Sequence, residues 1–483
     1  MSDSLKDIPI KVEQNSARKS TAQDATEVSL YEVRQKIYPR SVKGLFNNWR
    51  VIFVLGTQLV FFGIPWLMWN GRQAVHFDLI NRQFHLFGLT IWPQDFVYLA
   101  ALLMFSAFGL FAWTTIAGRL WCGYSCPQTV YTEIMLWIEQ WVEGDRNKRM
   151  KLDKQPMSLA KFRIKFTKHG IMVLFSLLTG FTLVGYFTPI RDLVAAAPRF
   201  DYGPWETFWM FFYGGFTYLF AGMMREQVCK YMCPYARFQA VMFDADTLII
   251  SYDEKRGEPR GARKKGLDPR SEGLGDCINC SICVQVCPVG IDIRNGLQYE
   301  CIGCAACIDG CDEVMDKMGY PRGLIRYTTE NALEGKYSEK EIVSRLKRPR
   351  VVLYSLLLLV ILAAAVTSFA LRKPFKVDII RDRASLVRET NEGWLENSYS
   401  VKIINVSEQT QRFQLSVEGL PGIKLETDKP IVTVKGTETE TVPVRVEADP
   451  QYATKGSHEI HFVIQSADDQ ALRVEEKSSF IGE

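Results

Sequence analysis

Histidine is scarce, with five in 483 residues. A b-type haem held in a helical bundle needs axial ligands within the apolar segments, usually two histidines. Only His169 approaches an apolar run, at its start, while His76 and His85 lie in a polar stretch. That argues against haem. Strong charge imbalance is also missing. A formal net charge of +4 is too small to argue for a nucleic-acid partner, and none is expected. No apolar core follows within the first thirty residues, so no secretory signal is expected. Cysteine is absent before Cys122 and after Cys311, and the C-terminal stretch 372–483 has none. A domain there needs no disulfide.

Charge is also lacking inside five apolar runs: 51–69, 96–117, 170–190, 207–224 and 351–371. Each is long enough to read as a membrane span, the fourth being the shortest at 18 residues. Lys and Arg number nine in 1–50, two in 70–95, ten in 118–169 and two in 191–206. By the positive-inside rule the tail and the stretches 118–169 and 225–350 lie inside, and 70–95, 191–206 and 372–483 outside. In a bacterium the outside is the periplasm. All twelve cysteines then face the reducing side.

The expected architecture is a multi-domain membrane protein. Residues 1–40 read as a disordered cytoplasmic tail. Residues 41–245 form a four-span region and 246–345 a cytoplasmic ferredoxin-like domain with its core at about 265–325. The fifth span is 351–371. Alternating runs from Val401, separated by turn clusters, make 372–483 a periplasmic all-β sandwich of immunoglobulin type. Residues 129–142 place Ile134, Trp137, Ile138 and Trp141 along one helical face with charges opposite. This fits an interfacial helix and equally one packed on the bundle.

The chemistry lies in the cysteines. CINCSICVQVCP starts at Cys277 and CIGCAACIDGC at Cys301, each C-x2-C-x2-C-x3-C. This is the spacing of bacterial two-cluster ferredoxins, whose fourth cysteine ligates the other cluster. Cys277, Cys280, Cys283 and Cys311 should hold one [4Fe–4S] cluster, and Cys301, Cys304, Cys307 and Cys287 the second. Zinc takes four thiolates but does not call for a duplicated two-two-three run. Pro288 follows the first run as in ferredoxins; Asp312 follows the second, a departure.

CGYSCP at Cys122 and CKYMCP at Cys229 repeat 107 positions apart, each after an apolar hairpin that ends in an arginine, Arg119 or Arg225. Positions i and i+4 share a helix face. Cys122 with Cys126, and Cys229 with Cys233, would therefore make two soft-ion jaws meeting across a pseudo-twofold axis. The proline could also break the helix within each jaw. Soft ligands select Cu(I), zinc or iron–sulfur. Met223, Met224 and Met232 lie nearby and fit either such a site or a membrane core.

Paired hairpins ending in C-x3-C-P before a two-cluster loop resemble the membrane polyferredoxins of nitrate and nitrous oxide reduction. The further span and the immunoglobulin-like domain make the chain most similar to the CcoG family, also called FixG or RdxA, of cytochrome c oxidase accessory proteins. The resemblance covers roughly residues 30–483. It implies a cupric reductase of the bacterial inner membrane that serves assembly of a cbb-type oxidase beside a copper-transporting ATPase. It assigns Cys122, Cys126, Cys229 and Cys233 to copper binding or reduction and the other eight cysteines to two [4Fe–4S] clusters. The other expected contacts are membrane lipid and other oxidase assembly proteins; a homodimer stays open. A quinol-linked carrier feeding a periplasmic reductase, and a redox sensor or scaffold, are the alternatives.

Overall fold

The computed structural model describes residues 36–265, 268–382, 387–390, 392–469 and 471–482. Residues 1–35 of the expected tail lie outside them. The chain is tied down before residue 40, earlier than expected. Tyr38 donates to the Asp153 carboxylate at 2.7 Å, and the Arg40 N–H donates to the Gln285 carbonyl at 2.8 Å.

Among the described residues four helices are long and apolar enough to cross a membrane: Leu45–Trp66, Pro93–Ala117, Leu159–Val184 and Pro349–Ala370. The first starts six residues before the expected run, and Met68–Trp69 already pair as a β-ribbon. The third starts at Leu159, so charged turns precede its apolar part, and it ends at Val184 rather than 190. The expected fourth span is not one α-helix. Pro204–Thr217 is α-helical for 14 residues, about 21 Å at 1.5 Å per residue, and continues as π-helix over Tyr218–Met224. Small residues seat it tightly on the third helix. A Cβ on Gly214 would lie 2.9 Å from the Ser176 carbonyl oxygen, and one on Gly180 would strike that of Met210.

The stretch after the first helix is a three-stranded antiparallel sheet, Val75–Asp78, Gln83–Leu86 and Leu89–Ile91, rather than a loop. It pairs His76 with His85, and burial pushes the His85 pKa down to about 4. The helix Pro127–Glu143 packs on the bundle through Ile134, Met135 and Ile138, and Trp141 is exposed. Its charges are not all opposite the buried face, because Glu139 and Glu143 are buried too. Glu139 accepts from Arg149 at 3.0 Å and from Arg225 at 2.6 and 3.0 Å, with Lys168 at 3.4 Å.

The ferredoxin-like segment is bracketed by antiparallel strands Ile249–Tyr252 and Ile325–Thr328. It is fastened under the second span by the Leu248 N–H on the Ile116 carbonyl at 3.0 Å. The C-terminal strands form two packed sheets. One orders Lys424–Glu426, Thr439–Ala448, Leu395–Asn405 and Phe375–Arg381; the other orders Ile431–Val434, Gln411–Glu418, Gly456–Ser466 and Arg473–Gly482. Alternating side chains such as Val401, Ile403, Phe413, Ile460 and Phe462 fill the space between them. The sandwich begins at Phe375, well before the alternation seen from Val401. It docks on the 70–95 region, where Glu408 takes Arg72 at 3.3 Å and Asp95 takes Arg372 and Lys376 at 2.5 Å each.

Candidate metal centres

The two four-cysteine runs fold alike. Asn279 and Ser281 in the first, and Gly303 and Ala305 in the second, all have positive φ, between 55° and 70°. These equivalent left-handed positions wrap three cysteines of each run around one space. A helix, Ile282–Gln285 or Ala306–Met318, then leads the chain to the fourth cysteine, Cys287 just past the first and Cys311 within the second. Cys277, Cys280, Cys283 and Cys311 bound one cavity. Cys287, Cys301, Cys304 and Cys307 bound another, with Cys283 also in its wall. Each cavity is thus walled by three cysteines of one run and the fourth of the other.

Asp312 now has a physical account. Cys311 sits inside a helix, where proline would break the turn, and Asp312 instead accepts the Gly323 N–H at 3.0 Å. Cys287 lies just past the end of its helix, where Pro288 does no harm.

These residues fit an iron–sulfur group by their chemistry. Among the described residues no three His, Cys, Asp or Glu side chains converge as a single ion requires. The cysteines instead line the walls of cavities whose remaining lining is largely aliphatic. Burial pushes Cys283 and Cys287 up to about 11 and Cys301 and Cys311 up to about 12. Thiols so buried become thiolates when cationic iron replaces the proton.

The C-x3-C-P pairs are not jaws on one helix. Cys122 lies in the short helix Leu120–Tyr124, and Cys126 is the extended residue that caps the next, with Pro127 at its first position. Cys229 lies in a π-helical turn, and Cys233 caps the helix that begins at Pro234. Proline disfavours the α conformation in the residue before it and suits the first helical turn, so each pair straddles a break. The break leaves the four thiols as neighbours, but among the described residues no three of them converge as ligands of a single ion. Burial raises the Cys229 pKa to about 12, and nearby Cys126, Cys122 and Cys233 add to the effect while Arg119 opposes it. Cys122 and Cys126 are likewise raised by burial.

The pairs adjoin the second cavity. Cys122 and Cys229 belong to one apolar cluster with Cys287, Cys301, Cys304 and Cys307. A Cβ on Gly123 would lie 2.7 Å from the Gly303 carbonyl oxygen and 2.9 Å from the Cys304 Cα, so only glycine fits. Buried Arg119 donates to Gln239 at 3.0 Å and to the Tyr299 carbonyl, two residues before Cys301. Gln239 also accepts from the Cys122 thiol at 3.4 Å. The sequence reading passed over Gly123, Gln239 and Glu226, and it paired Arg119 with Arg225. The backbone corrects that register. Gly118 (φ 54°, ψ −125°) matches Arg225 (φ 48°, ψ −112°), so Arg119 matches Glu226. The 107-residue offset, applied strictly, already shows this. Away from these centres, His169 is held by the Tyr218 hydroxyl at 2.8 Å.

Comparison with known proteins agrees with this layout. A 4Fe-4S dicluster domain model matches residues 224–330, and a 4Fe-4S binding domain model matches 99–149, a range that contains Cys122 and Cys126. A model of the IG-like fold at the C-terminal of FixG matches 365–483. Protein RdxB of Cereibacter sphaeroides is 40% identical over 89% of this chain and 92% of its own. Nitrogen fixation protein FixG of Rhizobium meliloti is 36% identical over 81% of each, and Protein RdxA of Cereibacter sphaeroides is 37% identical over 87% and 88%. With its crossed cysteine cavities, apolar helices and C-terminal sandwich, the chain belongs to the FixG/RdxA family of iron–sulfur proteins.

Proposed function

We propose that this protein delivers single electrons to the four-thiol site formed by Cys122, Cys126, Cys229 and Cys233, where Cu(II) becomes Cu(I) for assembly of a cbb-type cytochrome c oxidase. The observation that carries the reading is the shared apolar wall of Cys122, Cys229 and the four cysteines of the second cavity. Cys277, Cys280, Cys283 and Cys311 would hold one [4Fe–4S] cluster and Cys301, Cys304, Cys307 and Cys287 the other. When bound, such clusters supply one-electron carriers. The chain's own part is to exclude water with aliphatic side chains, fix the thiols, and release their protons as metal binds. Thiolates favour Cu(I) over Cu(II), so the site holds the product better than the substrate.

In this proposal the chain lies in the bacterial inner membrane with the thiols facing the cytoplasm and the sandwich facing the periplasm. The contacts of Arg72 and Asp95 with the sandwich support a common side for 70–95 and 372–483. The segment 204–224 completes five crossings only if the bilayer accommodates its π-helical end. A copper-transporting ATPase and other oxidase assembly proteins are the partners of this proposal.

The test is anaerobic Cu(II) reduction by purified protein with its iron counted. The wild type should carry about eight irons, the ligand count of the two-cluster pattern. Cys229→Ser should keep them and lose most copper binding and reduction. Normal copper chemistry in that variant would end the copper reading. Loss of iron would instead make the pairs ligands of an iron–sulfur group.

A further inference from the structure

We propose that electrons enter this protein at the cavity bounded by Cys277, Cys280, Cys283 and Cys311, from an acidic one-electron carrier protein that docks on the basic run 260–265. The proposal rests on the reading that the two cavities hold [4Fe–4S] clusters feeding the C-x3-C-P thiols, and it names the class of reductant.

The two cavities have an outer and an inner end. Of the twelve cysteines only Cys280 is exposed, and it lines the first cavity. None of the residues lining that cavity comes from the membrane region 41–245. The second cavity shares its apolar wall with Cys122 and Cys229. Cys283 lines both cavities. The order from solvent is therefore Cys280, the first cavity, the Cys283 wall, the second cavity and the C-x3-C-P thiols. A carrier in solution meets this series at its Cys280 end.

The surface at that end has cations to spare. Arg294 lines the first cavity and donates to the Asn279 side chain at 2.7 Å, beside Cys280. Asp292 takes Arg294 at 2.6 Å, and Arg260 stands close enough to act on the same carboxylate. The Gly261 N–H donates to the Cys277 carbonyl at 3.1 Å, which ties the run RGARKK to a wall of the first cavity. That run holds four cations and no carboxylate. Arg260 pairs with Glu258 at 3.6 Å on exposed surface, where such a pair is weak. Arg263 spends its donors on neutral oxygens of Tyr320 and Gly261. Lys264 and Lys265 are exposed, and among the described residues no carboxylate pairs with either. Nearby Asp276 is already taken by Arg256 at 2.5 Å. Complementary charge steers the encounter and fixes its register, so an acidic carrier is drawn to the Cys280 end. One electron leaves the reduced carrier and is gained by the group in the first cavity; no bond forms or breaks.

The experiment uses the cluster-loaded full chain, with about eight irons as the control for folding. The probes are reduced flavodoxin and reduced plant-type ferredoxin, both acidic, and cluster bleaching is followed by stopped flow. Reduction of the wild type should be fast at low salt and collapse at about 1 M, where charges are screened beyond about 3 Å. A chain carrying both Lys264→Glu and Lys265→Glu should be reduced about tenfold more slowly or worse at low salt. Its iron content should stay unchanged, as should its reduction by a small uncharged deazaflavin. Oxidised flavodoxin should also shield Lys264 and Lys265 of the wild type from amine acetylation. Equal rates in variant and wild type, or a wild-type rate indifferent to salt, would overturn the proposal. So would failure of both carriers where a water-soluble quinol succeeds, since entry would then lie on the membrane side. Copper is absent from these measurements. A wild type that takes the electron yet reduces no copper would sink the copper reading and leave this one standing.

Discussion

The chain contains two duplications of very different fidelity. The four-cysteine run repeats after 24 positions, and its copies agree in ligands, in left-handed positions and in the helix that follows. The C-x3-C-P hairpin repeats after 107 positions, and its motifs agree in the cysteines, the prolines, Tyr124 with Tyr231, and the turn at Gly118 and Arg225. The difference follows from what each copy touches. Both ferredoxin loops wrap the same kind of cavity, so the same backbone is needed twice. The hairpin copies have different neighbours. One presses on the second ferredoxin loop, and the other opens to a cavity and hands its arginine to a buried glutamate.

The sharpest way to break the second copy alone is through that glutamate. Glu139→Gln strands Arg149, Lys168 and Arg225 beside one another without a carboxylate. Removing one partner of a buried charge network costs ~3–5 kcal/mol. Chemical unfolding should show that loss, with the Cys229 half becoming reactive to alkylation before the Cys122 half. Simultaneous exposure of both halves would mean that they share one folding unit.

Acid should act on the same residue. Burial alone would raise the Glu139 pKa, but hydrogen bonds and charge from Arg225, with Lys168 and Arg149, hold it down to about 2 from 4.5. The folded state therefore binds this proton more weakly than the unfolded chain. Its contribution is complete above pH 4.5 and is lost as the pH falls toward about 2. The shift is worth on the order of 3 kcal/mol. Stability measured in that window should decline in the wild type and much less in Glu139→Gln. Parallel declines would assign the acid sensitivity to other carboxylates.

Much of this was legible in the sequence. The two-two-three cysteine spacing gave the crossed cavity walls, because a three-residue loop cannot return its own fourth thiol to the same space. Alternation gave the C-terminal sandwich. The ends of the apolar helices were less legible. Leu159 precedes several lysines and arginines that a hydropathy window rejects, yet buried Lys168 is neutralised by Glu139 and Glu143. The break at Thr217 has no composition signal, since π-helix and α-helix use the same apolar residues here. The i, i+4 jaw gave way to proline geometry already present in both motifs. The match of Arg119 with Glu226 was legible in the strict 107-residue offset, and the backbone angles at Gly118 and Arg225 agree with it.

Gly123 tests the contact between the two duplications. Gly123→Ala puts a methyl 2.7 Å from the Gly303 carbonyl oxygen, and backbone cannot swing aside as a long side chain does. Better helix propensity returns at most ~1 kcal/mol. Overpacking costs ~1–3 kcal/mol, so the net effect is a modest destabilisation centred on the second cavity. Lys230→Ala, at the matching position, should change stability by less than about 0.5 kcal/mol. Iron release measured in both variants checks the contrast: faster loss from one cluster in Gly123→Ala, none in Lys230→Ala. Equal release would remove the packing argument for the Cys122 side.

The prolines are where the hairpin copies agree, so they should give small and closely similar effects. Pro127 and Pro234 both occupy the first position of a helix, where no intrahelical N–H bond is lost, and both hold the preceding cysteine extended, at ψ 128° and 109°. Replacing either with alanine frees the unfolded chain and relaxes the bias on Cys126 or Cys233, a loss of ~0.4–1 kcal/mol. Thermal unfolding of Pro127→Ala and Pro234→Ala should therefore shift by similar small amounts, with iron content unchanged. A large drop in one variant alone would show that the two breaks hold their thiols by different means, and the backbone equivalence drawn from Gly118 and Arg225 would not extend to the cysteines that follow.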